Sequence, residues 1–153
     1  MAKANLDKVH ASNYGNIETV IATVDLPNGS VVALGDDVDG NREAMHAVAP
    51  AADKELLLVV APEVEYDNKV NWDEYDRVNK AEVPVRAYHL TQGDKFQVEL
   101  ALFDVEPAKN AIVTGAANYG YTAATGTEQT KFIVERLTRF GWDSRKMALL
   151  RVL

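Results

Sequence analysis

The chain has 153 residues, 47% apolar and 25% charged, enough for one soluble globular domain with a real core. Its formal net charge of -7 disfavours nonspecific attraction to nucleic-acid phosphates, so no direct nucleic-acid partner is expected. With no cysteine, disulfides, thiolate catalysis, iron–sulfur clusters and cysteine zinc sites are excluded.

Residues 1–16 are polar with scattered apolar positions and read as a flexible N-terminal arm, ordered only by docking on its own domain or on a neighbour. They lack the apolar stretch of a signal peptide, and no run approaches the roughly 20 apolar residues that span a bilayer. A chain made in the cytoplasm, with no membrane partner, is expected.

Residues 17–24, IETVIATV, are rich in β-branched side chains that suit a pleated surface. Pro27, Asn28 and Gly29 follow as a turn signal, and 30–34, SVVAL, return as a second strand, giving a first hairpin over 17–34. Residues 35–41, GDDVDGN, read as a loop, 42–48 as a strand stopped by Pro50, and 56–60, LLLVV, as a buried strand. The acidic and aromatic stretch 63–82 has no clean periodicity and reads as a long loop or protrusion. Residues 83–104 hold two apolar runs around Thr91, Gln92, Gly93 and Asp94, and Phe96, Val98, Leu100 and Leu102 alternate with Gln97, Glu99 and Ala101. That period of two, with the turn between, predicts a central β-hairpin.

Residues 111–114 read as a short strand and 115–126, GAANYGYTAATG, as a flexible surface loop. Over 131–140, KFIVERLTRF, a helical face and a strand both fit; a strand is expected because its residues are β-prone and Gly141 ends the run early. Residues 147–153 close the chain as a last strand. Roughly eight or nine short strands separated by turns predict a mainly β fold, an antiparallel β-sandwich or small barrel with little helix, as a single domain over 17–153.

Candidate chemistry is sparse. Asp36, Asp37, Asp39 and Gly40 suggest a calcium loop, but an EF-hand register would need acids where Gly35 and His46 stand, so a surface turn rich in aspartates is expected. His10, His46 and His89 show no i,i+4 zinc spacing, and no serine sits in a nucleophile elbow. No metal, no cofactor and no catalytic residue is therefore assigned, and the chain is not expected to be an enzyme. Arg136, Arg139, Arg145, Lys146 and Arg151 cluster near the C-terminus and are expected to solvate outward strand faces and balance acidic neighbours.

Three stretches together resemble small proteins encoded beside the major capsid protein of tailed bacteriophages. SVVALGDD at 30–37 is similar to a strand ending in a glycine-acid turn in that group. EAMHAVAPAADKELLLVVAPEVEYDNK at 43–69 and VPVRAYHLTQGDKFQVE at 83–99 resemble its proline-punctuated apolar stretch and its paired strands around a second glycine-acid turn. The resemblance carries no catalytic residues. It implies a decoration or cement protein on the virion surface, bound to the major capsid protein, stabilising contacts between capsomers and assembling as a homo-oligomer, with a trimer favoured. The contact residues expected are Leu6, His10 and Tyr14 of the arm and Tyr66, Trp72 and Tyr75 of the aromatic loop, since Tyr and Trp dominate interface hot spots. Two other readings stay open. A carbohydrate- or ligand-binding β-sandwich would use Tyr66, Trp72 and Tyr75 with Tyr119 and Tyr121; a hydrolase would assemble His89 with Asp94 or Asp104.

Overall fold

The structure is a computed structural model and describes residues 4–9, 16–39, 41–61, 78–141 and 144–153. In chain order the strands are β1 (Ala4–Lys8), β2 (Ile17–Ile21), β3 (Leu26–Pro27), β4 (Val31–Val38), β5 (Asn41–Val48), β6 (Leu57–Val59) and β7 (Val78–Asn79). They continue as β8 (Val85–His89), β9 (Lys95–Glu99), β10 (Ile112–Gly115), β11 (Tyr121–Ala123), β12 (Phe132–Phe140) and β13 (Arg145–Val152). Leu100–Leu102 make a single 3-10 turn after β9. The expected mainly β architecture is what the chain adopts, and it contains both a closed barrel, β2-β5-β4-β6-β8, and a six-stranded antiparallel sheet, β1-β9-β13-β12-β10-β11. Within the barrel β2 and β5 run parallel.

Two cores explain how these layers join. Val20, Val32, Leu57, Val59, Val85 and Ala87 fill the barrel. Val31, Ala33, Leu58 and Tyr88, from the opposite faces of the same strands, pack with Phe96, Val98, Phe132, Val134, Leu150 and Tyr121 of the six-stranded sheet. Strand β6, Val31–Ala33 of β4 and Ala87–Tyr88 of β8 are thus buried on both faces. This is the physical reason for the unbroken LLLVV run, because a strand covered on two sides has no polar face to alternate. Burial of Leu57, Leu58 and Val59 contributes about 1.5–3 kcal/mol each.

The segment read as a flexible arm is a strand over Ala4–Lys8, hydrogen-bonded along β9, with Ala4 and Val9 in the core. Docking is therefore on its own domain. Two expected hairpins are not hairpins. Strands β2 and β4 are separated in the barrel by β5, which pairs with both. Strands β8 and β9 belong to different sheets, β8 between β2 and β6, β9 between β1 and β13. The turn at 91–94 is instead the corner where the chain leaves the barrel. Asp94 accepts from the Thr91 N–H at 2.9 Å, and the Gly93 N–H, in a left-handed backbone at φ 93°, donates to Val152 O at 3.0 Å. The period-two alternation there correctly marks Phe96 and Val98 as inward.

The loop expected at 35–41 is mostly strand: β4 runs on through Asp36 and Asp37 and returns as β5 with two register shifts. Of residues 131–140, Phe132–Phe140 form strand β12, in a long hairpin with β13. The surface loop expected over 115–126 contains β11, and Tyr121 in it is fully buried.

One segment, 26–30, ties the layers together. The Asn28 side chain accepts from Ala61 N–H at 3.0 Å and from Asn79 Nδ2 at 2.9 Å, and donates to Ala61 O at 3.3 Å. Asn79 Nδ2 also donates to Leu26 O at 2.9 Å. The Tyr121 hydroxyl reaches from the other sheet to donate to Gly29 O at 2.8 Å. Gly29 holds φ 95° with Leu102 and Val98 where a Cβ would go, so both its conformation and its packing call for glycine.

Candidate functional site

Of the contact residues expected from the sequence, Leu6 is described: it lies on β1, half-buried against the main core. His10, Tyr14, Tyr66, Trp72 and Tyr75 lie outside the described residues. Tyr121, enlisted for sugar stacking, is buried between Phe103, stacked at 5.0 Å, and Phe132, edge-on at 5.8 Å, and burial pushes its hydroxyl well above the usual tyrosine range. Tyr119 is half-buried against the barrel core. Tyr121 offers no free ring face.

His89 meets neither Asp94 nor Asp104. The Asp94 carboxylate bonds the Thr91 N–H, and Asp104 accepts from Asn118 Nδ2 at 2.8 Å. His89 instead closes one end of the barrel, its Nε2 3.1 Å from Glu18 Oε1 and its Nδ1 3.1 Å from Glu55 Oε1. Glu18 stands on the neighbouring β2 and Glu55 just before β6, so the ring ties together both strands that flank β8. A neutral imidazole donates from one nitrogen only, so its other lone pair would face a carboxylate oxygen. Partial burial opposes the charged ring, but the hydrogen bonds to Glu55 and Glu18 outweigh it and raise the pKa above 6.5. The bridge therefore contributes its full stability below pH about 6.5 and loses it as pH rises through the higher folded value. Thermal melting of wild type and His89→Gln between pH 5.5 and 9 checks this. The gap between them is expected to be widest at the acid end and to shrink as pH rises; a gap independent of pH would refute it.

The other buried polar groups are taken up by the backbone. Glu128 receives the Thr125 hydroxyl and N–H, both at 2.7 Å, and the Gly126 N–H at 2.8 Å. These bonds, the Thr125 hydroxyl foremost, hold its carboxyl down at about 2. Thr130 accepts from Leu56 N–H at 3.1 Å. Among the described residues no group of three or more histidine and acidic side chains is arranged to hold a metal ion. No helix among them is long and apolar enough to cross a membrane.

What the surface does offer lies on either side of the segment 100–107, which leads from β9 towards β10. On one side is an apolar depression of about 210 Å³ walled by Phe103, Val105, Pro107, Ile112 and Ala123. Val105 is 80% exposed and Ile112 46%. A large apolar side chain left in water at that level, beside a second, marks a contact surface better than scattered single exposures do. On the other side is a notch of about 220 Å³ between Leu100, Glu106, Leu137, Thr138, Arg139 and Lys146, under the far end of the β12–β13 hairpin. Glu106 lines both. The basic cluster mostly balances acids, as expected: Arg151 Nε bonds Glu135 at 2.6 Å, Arg145 meets Glu99 at 3.4 Å and Lys146 meets Glu106 at 3.8 Å. Arg136 and Arg139 are exposed. Sequence reasoning missed the apolar depression because its walls come from three separate stretches, none of them patterned.

Comparison with protein-family models, with curated proteins and with solved structures returns no match in any of the three.

Proposed function

We propose that the chain is a virion structural protein that binds the outer surface of a phage capsid, against the major capsid protein, and stabilises contacts between capsomers. The observation that carries this reading is the open apolar depression around Val105 and Ile112, to which the resemblance of residues 30–37, 43–69 and 83–99 adds a kind of partner. A concavity this small gives weak affinity per copy. Many copies engaging one shell at once convert that into firm attachment. The chain's acidity suits this place, since it does not compete for the packaged genome.

Co-sedimentation with shells that lack the protein tests the reading. Wild type is expected to bind saturably at a fixed ratio to the major capsid protein. Val105→Asp is expected to weaken binding about tenfold, equivalent to about 1.4 kcal/mol, with folding changed by no more than about 0.5 kcal/mol at so exposed a position. Absence of wild-type binding to any shell would sink the proposal, and undiminished binding by Val105→Asp would remove this surface from it. Deleting residues 1–16 is a poor test, because Ala4 and Val9 are core residues.

A further inference from the structure

Two hairpins run out beyond the cores, and they carry opposite charge. In β4 the burial falls away after Ala33, and Asp36, Asp37 and Asp39 are exposed around a half-buried Val38. Among the described residues none of these three aspartate side chains makes a hydrogen bond or ion pair. In β12 the burial falls away after Val134, and the far half of the hairpin overhangs the notch that holds Arg139 and Lys146 above Leu100 and Leu137. Leu137 is 38% exposed. Among the described residues the notch contains two cations and a single carboxylate, Glu106, held only loosely by Lys146 at 3.8 Å with both side chains more than half exposed. It is therefore a local positive, part-apolar concavity on a chain of net charge -7.

We propose that the notch receives the β4–β5 hairpin of a second copy of this chain. Asp37 and Asp39, two residues apart, would face Arg139 and Lys146. The two hairpins stand in different sheets. Net repulsion between two acidic copies acts over the distance between their centres and is screened at about 0.1 M salt, where the Debye length is about 10 Å. Charges in contact within the notch are screened far less. Because the two surfaces differ, the contact is heterologous, and it closes into a ring or continues as a string according to the rotation per copy.

This does not depend on the capsid reading, and its readout is the mass of the free protein rather than attachment to shells. Sedimentation equilibrium in about 0.1 M salt is expected to give a mass above that of one chain, falling towards one chain at about 1 M, where the Debye length is about 3 Å. Arg139→Glu with Lys146→Glu, and separately Asp37→Lys with Asp39→Lys, are each expected to weaken self-association at least tenfold. An equimolar mixture of the two charge-reversed proteins is expected to associate again, since each then offers the other a complementary surface. Circular dichroism establishes that both are folded, and Arg139→Gln with Lys146→Gln stands in if the first pair is not. A wild type of single-chain mass at both salts would overturn the proposal. So would reversed variants that associate like wild type, or a mixture that stays dissociated.

Discussion

Replacing Tyr121 with alanine is expected to cost about 3–5 kcal/mol, a large share of the roughly 5–15 kcal/mol that holds a domain of this kind together. The ring is fully buried and shared between layers, stacked on Phe103 and edge-on to Phe132. Its removal opens a cavity that barrel and sheet, both rigidly hydrogen-bonded, collapse into poorly. It also strips the Gly29 carbonyl of the hydroxyl that reaches it at 2.8 Å. Tyr121→Phe separates the two terms: it keeps the ring, orphans that carbonyl, and is expected to cost about 1–2 kcal/mol. For a chain of this length the alanine variant corresponds to a fall in melting temperature of roughly 6–20 °C. Urea titration of the three proteins measures both steps, and an alanine variant within about 1 kcal/mol of wild type would show that the ring does not join the layers as described.

Asn28→Ala is the second change expected to be severe, on the order of 3 kcal/mol or more. Here the loss is of polar satisfaction rather than volume. Asn28 is 2% exposed and bridges the Ala61 N–H and carbonyl to the Asn79 amide. Alanine leaves the Ala61 backbone groups unpaired in a region closed to water, each costing about 1–3 kcal/mol. Asn28→Asp keeps the acceptor and loses the donor, so it is expected to retain part of the stability. Equal effects of Ala and Asp in urea titration would argue that the donor to Ala61 O, lost in both, is what matters, and not the acceptor that Asp retains.

Strand identity was largely readable in the chain, and strand partnership was not. The apolar run at 56–60, the alternation through Phe96 and Val98 and the β-prone stretch 131–140 each announce a strand by local pattern. The pattern cannot say which neighbour a strand takes. The turn at 27–29 looks like a hairpin turn, yet β2 pairs in parallel with β5, a contact with no local signature. The same limit applies at 91–94, where a turn that would serve a hairpin turns a corner between sheets. Tyr121 was hidden for a different reason. It sits among glycines, alanines and threonines whose composition suggests a loop, while its burial is imposed from the far side by Gly29, Phe103 and Phe132. Of the surface features, the basic residues at 136–146 were visible in advance, but not the depression around Val105.

The sharing of β4, β6 and β8 between two cores has a kinetic side. Neither layer keeps an intact inner face without the other, because Leu57 and Leu58 are consecutive residues of one short strand yet belong to opposite cores. Barrel and sheet are thus bound into one cooperative unit, with no low-energy route by which either opens alone. An intermediate with the barrel closed and the sheet unformed would expose Val31, Ala33, Leu58 and Tyr88 as one continuous apolar wall, the kind of surface on which unfinished chains aggregate.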